Sequence, residues 1–401
     1  MQHSVEVPGA SSIVLDDGVL EPLKLDSKTG IVFSRRCYAA SHIALLPGYA
    51  EVSHSLDSPG KPEDFVEWID WDHCASYRRR LDDFGFGIAE AMDTAQRFEL
   101  GWAGAKKLME ATSKLKLANG FIGAASADHA DSISSKADLS RAIAEQIQFI
   151  QSVDGIPIVL PQPWLTKIGA NEEDYARVYC DAIDACDGPI LLHWLSEEFH
   201  PGMRGYFPGE SLRTILNHDP KKVRGMKVSM LDRELEETLR ASIAPNDQVI
   251  LTGDDYNFVP LIEGHSQESR ALPSLGGRPL PGGEFSHALL GILNAIAVPA
   301  SLALRHLSQG SVAAYRQIME PCEALSREIF KAPVSHYKAG VAFLAWLNGH
   351  QPNAMLVNHE EAARSTDDYV RIAELASAAG AIEDAGAAAE RLQGFLTAAS
   401  L

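Results

Sequence analysis

Lys227 lies inside Gly225-Met226-Lys227-Val228-Ser229-Met230, a strand-like apolar run. A buried ammonium is expensive there unless it is paired or neutralised. Burial lowers a lysine pKa from its model value of ~10.4, and a neutral amine is the nucleophile that condenses with a ketone to a Schiff base. Structural pairing with Asp254 or Glu90 is the alternative use of the same residue. His193 closes the run Ile190-Leu191-Leu192-His193-Trp194 and could serve as an acid/base or ligand, or simply as a satisfied core histidine.

Other apolar runs also end on polar groups. These are Glu90, followed by Asp93 and Thr94; Asp128 and His129; Gln162; Ser229 beyond Lys227; and Asp254, Asp255 and Asn257. Helix N-caps account for some of them, and a capping carboxylate explains one of Asp254 and Asp255 while leaving the other surplus. A second chemistry draws on the same set. Glu90, Asp128, His129, His193 and Asp254 could form the mixed carboxylate and imidazole shell of a Mg²⁺ or Mn²⁺ site, without a tight motif such as H-E-x-x-H. Tyr77 to Arg80 (YRRR) reads as a solvated helical face or a contact with a partner subunit, Tyr175 to Tyr179 as packing and surface. His336, Tyr337 and Lys338 at a helix start could reach an active site from the C-terminal region.

Apolar runs of strand length recur at 37–46, 84–90, 119–126, 156–161, 188–194, 223–229, 248–253 and 291–297. Segments of helical period separate most of them, among them 101–117, 135–152, 171–187 and 232–243. Near-continuous apolar strands alternating with amphipathic helices indicate a parallel sheet covered on both faces. Eight units in about 270 residues suit a closed (β/α)8 TIM barrel of the α/β class, whose active sites lie at the C-terminal strand ends. The eighth run is ambiguous, because 286–305 also reads as a buried helix. Residues 264–284 carry many Gly and Pro and no apolar period, the composition of a lid or binding loop. The expected organisation is an N-terminal arm or hairpin over 1–36, with turn signals at Asp16-Asp17-Gly18 and Lys28-Thr29-Gly30. The barrel follows over 37–305. A C-terminal helical domain over 306–401, with helices at 310–330, 335–349, 366–380 and 384–399, packs on it.

The chain of 401 residues has 35 Lys plus Arg against 54 Asp plus Glu, a net charge of −19. Such a field repels nucleic-acid phosphates and anionic membrane. No stretch offers ~18 uninterrupted apolar residues, and the first residues lack the pattern of a secretory signal, so a soluble cytoplasmic protein is expected. The five cysteines, odd in number and without a C-x-x-C pair, read as reduced thiols. No G-x-G-x-x-G follows a strand, and no P-loop motif is present.

The order of motifs resembles the dihydrodipicolinate synthase and N-acetylneuraminate lyase superfamily over roughly residues 37–350. The likeness rests on Gly-Met-Lys-Val-Ser (225–229), Pro-Ile-Leu-Leu-His-Trp (189–194) and Leu-Thr-Gly-Asp-Asp (251–255), followed by a Gly-containing apolar run before Ala297-Val298-Pro299. The runs 89–97, 191–194, 252–258, 286–292 (SHALLGI) and 342–351 look like those of an uncharacterised branch. The resemblance implies a class I lyase or aldolase with Lys227 as the imine-forming lysine, no cofactor beyond that imine, and a homodimer or homotetramer. Two departures accompany it. The family's Gly-Thr-Thr-Gly-Glu carboxylate loop is replaced by Ala91-Met92-Asp93-Thr94-Ala95-Gln96, with Arg97 available to replace its contacts. The proton-relaying Tyr-Asn pair is replaced by His193-Trp194, where His193 could move protons and Trp194 could stack on a sugar face.

The leading expectation is therefore a Schiff-base carbon–carbon lyase acting on a small polar keto compound such as a keto-sugar or sugar acid. Lys227 and His193 are its catalytic residues. Glu90, Asp93, Thr94, Arg97, Asp128, His129, Trp194, Ser229, Asp254, Asp255, Asn257 and His287 are its substrate-binding candidates. A divalent-metal isomerase, epimerase or lyase and a non-catalytic sugar-binding barrel are the alternatives.

Overall fold

A computed structural model describes residues 1–25 and 33–399. The turn expected at Lys28-Thr29-Gly30 lies outside the described residues. The chain opens with β1 (Gln2–Val5) and β2 (Ile13–Asp16), an antiparallel hairpin. Next come β3 (Cys37–Ala40), α1 (Trp71–Asp83), β4 (Gly87–Glu90), α2 (Arg97–Lys114), β5 (Phe121–Ala125), α3 (Lys136–Ser152) and β6 (Ile156–Val159). The sequence continues through α4 (Pro163–Lys167), α5 (Glu172–Asp184), β7 (Ile190–Leu195), α6 (Ser211–His218), β8 (Val223–Ser229), α7 (Arg233–Ile243), β9 (Val249–Thr252) and α8 (Phe258–Glu263). It ends with β10 (Arg270–Leu275), β11 (Arg278–Gly282), β12 (His287–Leu290), α9 (Ala297–Ser308), α10 (Val312–Ile329), α11 (Tyr337–Leu347), α12 (Thr366–Ala378) and α13 (Ala385–Ala399).

Strands β3 to β9 and β12 close into a parallel barrel in the order β12-β3-β4-β5-β6-β7-β8-β9. The fold is the (β/α)8 barrel. Side chains alternate along each strand, so every second residue points inward. Tyr38, Ala40, Ala89, Ile122, Ala124, Ile156, Ile158, Leu191, Val249, Leu251 and Leu289 form the apolar interior. The helices begin where side chains can satisfy orphan N–H groups. Ser135 accepts from Asp138 N before α3, Asn171 from Asp174 N before α5, and Asp232 from Leu235 N before α7.

Two expectations near the C-terminal end of the barrel are corrected. The eighth strand is β12, four residues earlier than the run at 291–297, because His287–Leu290 is the stretch that pairs with β9 and β3. Residues from Ile292 form a 3-10 turn, and α9 follows, carrying Pro299 in its first turn where no N–H is needed. Residues 264–284 are not a lid over the C-terminal strand ends. They form the antiparallel hairpin β10–β11, which plugs the opposite end of the barrel. Arg278 donates to the carbonyls of Ala118 (2.8 Å) and Leu117 (3.1 Å), just before β5, and Arg224 at the start of β8 donates to Pro273 O (3.2 Å). Leu272, Leu275 and Leu280 complete the apolar interior from below. The alternation that hides these leucines is short and broken by a register shift between Leu272 and Leu275, which masks it in the sequence.

By contact the chain divides into two compact units: Arg35–Ser41 with Phe86–Leu290, which holds the whole barrel sheet, and Met1–Ser34 with His42–Gly85 and Gly291–Leu401. In the latter unit the N-terminal hairpin is tied to the last helices. Asp16 N donates to Ser377 Oγ (2.8 Å) and Glu6 N to Gln393 Oε1 (3.0 Å). The YRRR segment is not a solvated face. Helical spacing puts Cys74, Tyr77, Arg78 and Leu81 on the buried side of α1; Tyr77 donates to Asn294 O (2.5 Å), Arg78 to Cys74 O (3.0 Å), and Arg80 pairs with Glu383. All five cysteines are free thiols. Among the described residues no helix is long and apolar enough to cross a membrane.

Candidate active site

Lys227 of β8 is the register partner of His193 on β7 and of Leu251 on β9. Partners in a parallel ladder face the same side, and Leu251 belongs to the interior, so Lys227 and His193 face inward as well. The inward positions of β8 are Gly225, Lys227 and Ser229, and this strand adds nothing to the apolar interior cluster. The polar part of the barrel interior is therefore concentrated on β7 and β8, towards their C-terminal ends.

Protein surrounds the Lys227 ammonium, yet the residue keeps part of its surface accessible. Burial pushes its pKa down to about 8, with Asp255 and then Asp93 opposing the shift. His193 Nε2 hydrogen-bonds Ser229 Oγ at 3.2 Å, while Nδ1 has no partner among the described residues. Burial, followed by the Lys227 charge, holds His193 well below the usual histidine range, so the imidazole is neutral at pH 7. Gly253 makes the cluster possible. A Cβ there would collide with Lys227 Cε and Ser229 Oγ.

The two aspartates after β9 divide the work. Asp254 Oδ1 accepts from Tyr256 N (2.9 Å) and Asn257 N (3.0 Å), and Oδ2 from Asn257 Nδ2 (2.8 Å), so Asp254 and Asn257 build the turn. Asp255, buried, is the carboxylate whose field is strongest at Lys227. Behind the turn Thr252 Oγ1 accepts from Asp254 N (3.2 Å) and donates to Glu236 Oε2 (3.0 Å); Ser286 Oγ donates to Glu236 Oε1 (2.7 Å). Burial pushes Glu236 up to about 8, opposed by the Ser286 and Thr252 hydroxyls. Sequence reasoning missed Glu236, although its place at i−4 from Arg240 and i−7 from Ile243 puts it on the buried stripe of α7. It also missed Gly253, whose signal was a glycine directly after a strand.

Asp93 opens a 3-10 turn, Asp93–Ala95, that also buries Thr94. Two non-glycine residues in the left-handed region, Ala91 (φ 53°) and Gln96 (φ 52°), flank this turn. Strain of that kind persists where the surroundings over-determine it, often at functional sites.

The remaining candidates on the barrel lie elsewhere. Glu90 ends β4 but faces the helix layer, accepting from Thr112 Oγ1 of α2 (2.6 Å) and Ala91 N (3.1 Å). Arg97, its side chain wholly enclosed, pairs with Asp128 (2.7 Å) and donates to Gln146 Oε1 (2.9 Å). Gln146 Nε2 also bonds Asp128 (2.8 Å) and His129 Nδ1 (2.9 Å), and His129 Nε2 meets Glu145 at 2.8 Å. These groups lock α2 to α3. Trp194 points away from His193 and packs edge-on against Phe207, ring centroids 6.1 Å apart. His287, the first residue of β12, is at the plugged end of the barrel and accepts from Arg36 N (2.9 Å), so it does not join Lys227. His336 and Lys338 bind Glu360 at 2.9 and 3.3 Å.

Glu90, Asp128, His129, His193 and Asp254 are thus engaged in four separate places, and the mixed metal shell does not assemble from them. Among the described residues no group of three or more His, Cys, Asp or Glu is placed to hold a metal ion.

The fold and this cluster define a (β/α)8-barrel protein with a partly accessible lysine at the centre of its polar interior. The chain belongs to the family described as "Protein of unknown function (DUF993)", whose model matches residues 7–401. No curated protein matches. Among solved structures it resembles a putative dihydrodipicolinate synthetase from Pseudomonas aeruginosa, at 16% identity, covering 88% of this chain and 99% of the other with a TM-score of 0.60. It also resembles N-acetylneuraminate lyase from Fusobacterium nucleatum complexed with pyruvate, at 12% identity, covering 86% and 96% with a TM-score of 0.57. A dihydrodipicolinate synthase from Oceanobacillus iheyensis gives 13% identity, 86% and 95% coverage and a TM-score of 0.59. At these identities the likeness is one of fold.

Proposed function

We propose that the protein is a class I lyase of the aldolase type, a divergent branch of the dihydrodipicolinate synthase and N-acetylneuraminate lyase superfamily, acting on a small polar keto compound. The observation that carries this reading is Lys227: inward on β8, partly accessible, its pKa lowered to about 8 by burial, beside a neutral histidine.

Each feature has a chemical use. At pH 7 roughly a tenth of an amine with a pKa near 8 is unprotonated, against well under a thousandth for an ordinary lysine. That amine attacks the carbonyl carbon, forming a C–N bond; two proton transfers expel the carbonyl oxygen as water and leave a protonated imine. A base then removes the proton of the β-hydroxyl group. The Cα–Cβ bond breaks, its electron pair enters the imine as an enamine, and an aldehyde departs. Protonation of the enamine carbon and addition of water return the lysine and release a ketone. His193, neutral and hydrogen-bonded to Ser229, is suited to taking and returning protons. Asp255 and Asp93 favour the cationic imine.

Borohydride added with a keto compound that the enzyme turns over should convert the imine to a secondary amine on Lys227, detected by peptide mass. Lys227→Ala should abolish both the adduct and turnover. An unmodified lysine together with full activity in Lys227→Ala would falsify the reading.

A further inference from the structure

Resting on the Schiff-base reading above, we infer that Ser229 is the group that carries protons between the Lys227 nitrogen and the substrate oxygen, and that His193 acts only through it. Ser229 follows Lys227 by two residues on β8, so both side chains leave the same inward face of the strand. Their ends converge. A Cβ on Gly253 would collide with Ser229 Oγ and Lys227 Cε at once, so the hydroxyl and the lysine side chain border one space too small for a methyl group, with the nitrogen one bond beyond Cε. The same Oγ bonds His193 Nε2 at 3.2 Å. One hydroxyl thus adjoins both the imidazole and the amine.

His193 has no other outlet. Its ring is buried, Nε2 is taken by Ser229, and Nδ1 is enclosed by protein without a hydrogen-bond partner among the described residues. Lys227 keeps part of its surface accessible, so a carbonyl compound meets this cluster at the lysine, and the imidazole reaches it along the hydroxyl. A serine suits that place because it donates one proton while accepting another.

Two protons leave the lysine nitrogen and two arrive on the carbonyl oxygen. In the first transfer Ser229 Oγ takes a proton from the Lys227 ammonium as it gives its own to His193 Nε2. The free amine attacks the carbonyl carbon; the C–N bond forms, and the oxygen becomes an alkoxide while the nitrogen becomes cationic. Ser229 then removes a proton from that nitrogen and gives its own to the oxygen, which leaves a neutral carbinolamine. The proton held on His193 returns through Ser229 to the hydroxyl. Water departs as the nitrogen lone pair closes the C=N bond of the cationic imine. Loss of the lysine charge in the first transfer also removes one of the two effects that hold His193 below the usual histidine range, which favours its brief protonation.

The test uses the full chain at pH 8 with borohydride and dihydroxyacetone, hydroxyacetone or pyruvate, and follows the rate of Lys227 labelling by peptide mapping in H2O and in D2O. The ketone that labels fastest is carried to the variants. Ser229→Ala should label roughly 100-fold more slowly and lose the D2O effect. Ser229→Cys, whose thiol still donates and accepts, should recover part of the rate. His193→Asn should also slow labelling, and the double variant should stay within about twofold of Ser229→Ala alone, because members of one relay are not additive. Ser229→Ala labelling at the original rate, or keeping the full D2O effect, overturns the inference and leaves the Schiff-base reading standing; this comparison decides even where the His193 variant does not fold. A double variant that loses the product of the two single losses also overturns it, because His193 then acts by another route. No adduct on Lys227 with any of the three ketones removes the Schiff-base reading and this inference with it.

Discussion

Gly253 and Lys227 are packed so closely that the glycine has no room for a Cβ beside the lysine's Cε. The same missing Cβ leaves space for Ser229 Oγ, so one hydrogen atom at position 253 keeps the amine and the hydroxyl of the proposed relay in place. Gly253→Ala is expected to lower kcat/KM on the order of 100-fold, since ångström-scale displacement of reacting groups has effects of that size. Overpacking should cost about 1–3 kcal/mol of stability. Steady-state kinetics and urea unfolding on the same variant separate the two effects, and unchanged kinetics would remove Gly253 from the site.

The pH dependence follows from the direction of the Lys227 shift. A lysine with a folded pKa of about 8 gains reactive amine tenfold per pH unit up to that value and then levels off. Borohydride labelling of Lys227 should therefore rise from pH 6 and flatten near pH 8. Because Asp255 favours the charged form, Asp255→Asn should move the bend to lower pH. A profile still climbing at pH 10 would contradict the buried amine.

Glu236 should leave a signature in stability. Its folded pKa, pushed up to about 8 by burial, lies above the ordinary carboxyl value, so between about pH 4.5 and 8 the folded chain binds a proton that the unfolded chain has released. Stability contributed by this group is full below that window and is lost as pH rises through it. Glu236→Gln should flatten the fall of Tm between pH 5 and 8. The two proteins should differ least at pH 5 and most at pH 8, with the variant the more stable at pH 8. Parallel Tm profiles would refute the assignment.

The hairpin at 270–282 separates packing from substrate gating. Leu275 is fully buried in the barrel interior. Leu275→Ala is expected to cost about 3 kcal/mol, within the usual range for such truncations. Because the hairpin plugs the end remote from Lys227, KM should stay within about twofold, whereas a lid would change it substantially. Denaturant midpoints and KM measured together decide the matter.

The amino-acid sequence by itself determined the strand and helix rhythm, the placement of Lys227 and His193 on adjacent strands, and the surplus aspartate beside Asp254. These follow from local apolar periodicity and from an ionisable residue interrupting it, which a single segment displays. Tertiary structure decided the rest. Only closure of the barrel shows that Glu90 faces Thr112, that Asp128 and His129 serve the Gln146 network, and that His287 opens its strand at the far end. Strand direction and register set which face and which end a side chain occupies, and a one-residue difference in parity reverses the face. The β10–β11 plug and the Glu236 network likewise depend on contacts between residues distant in the chain, which no local pattern encodes.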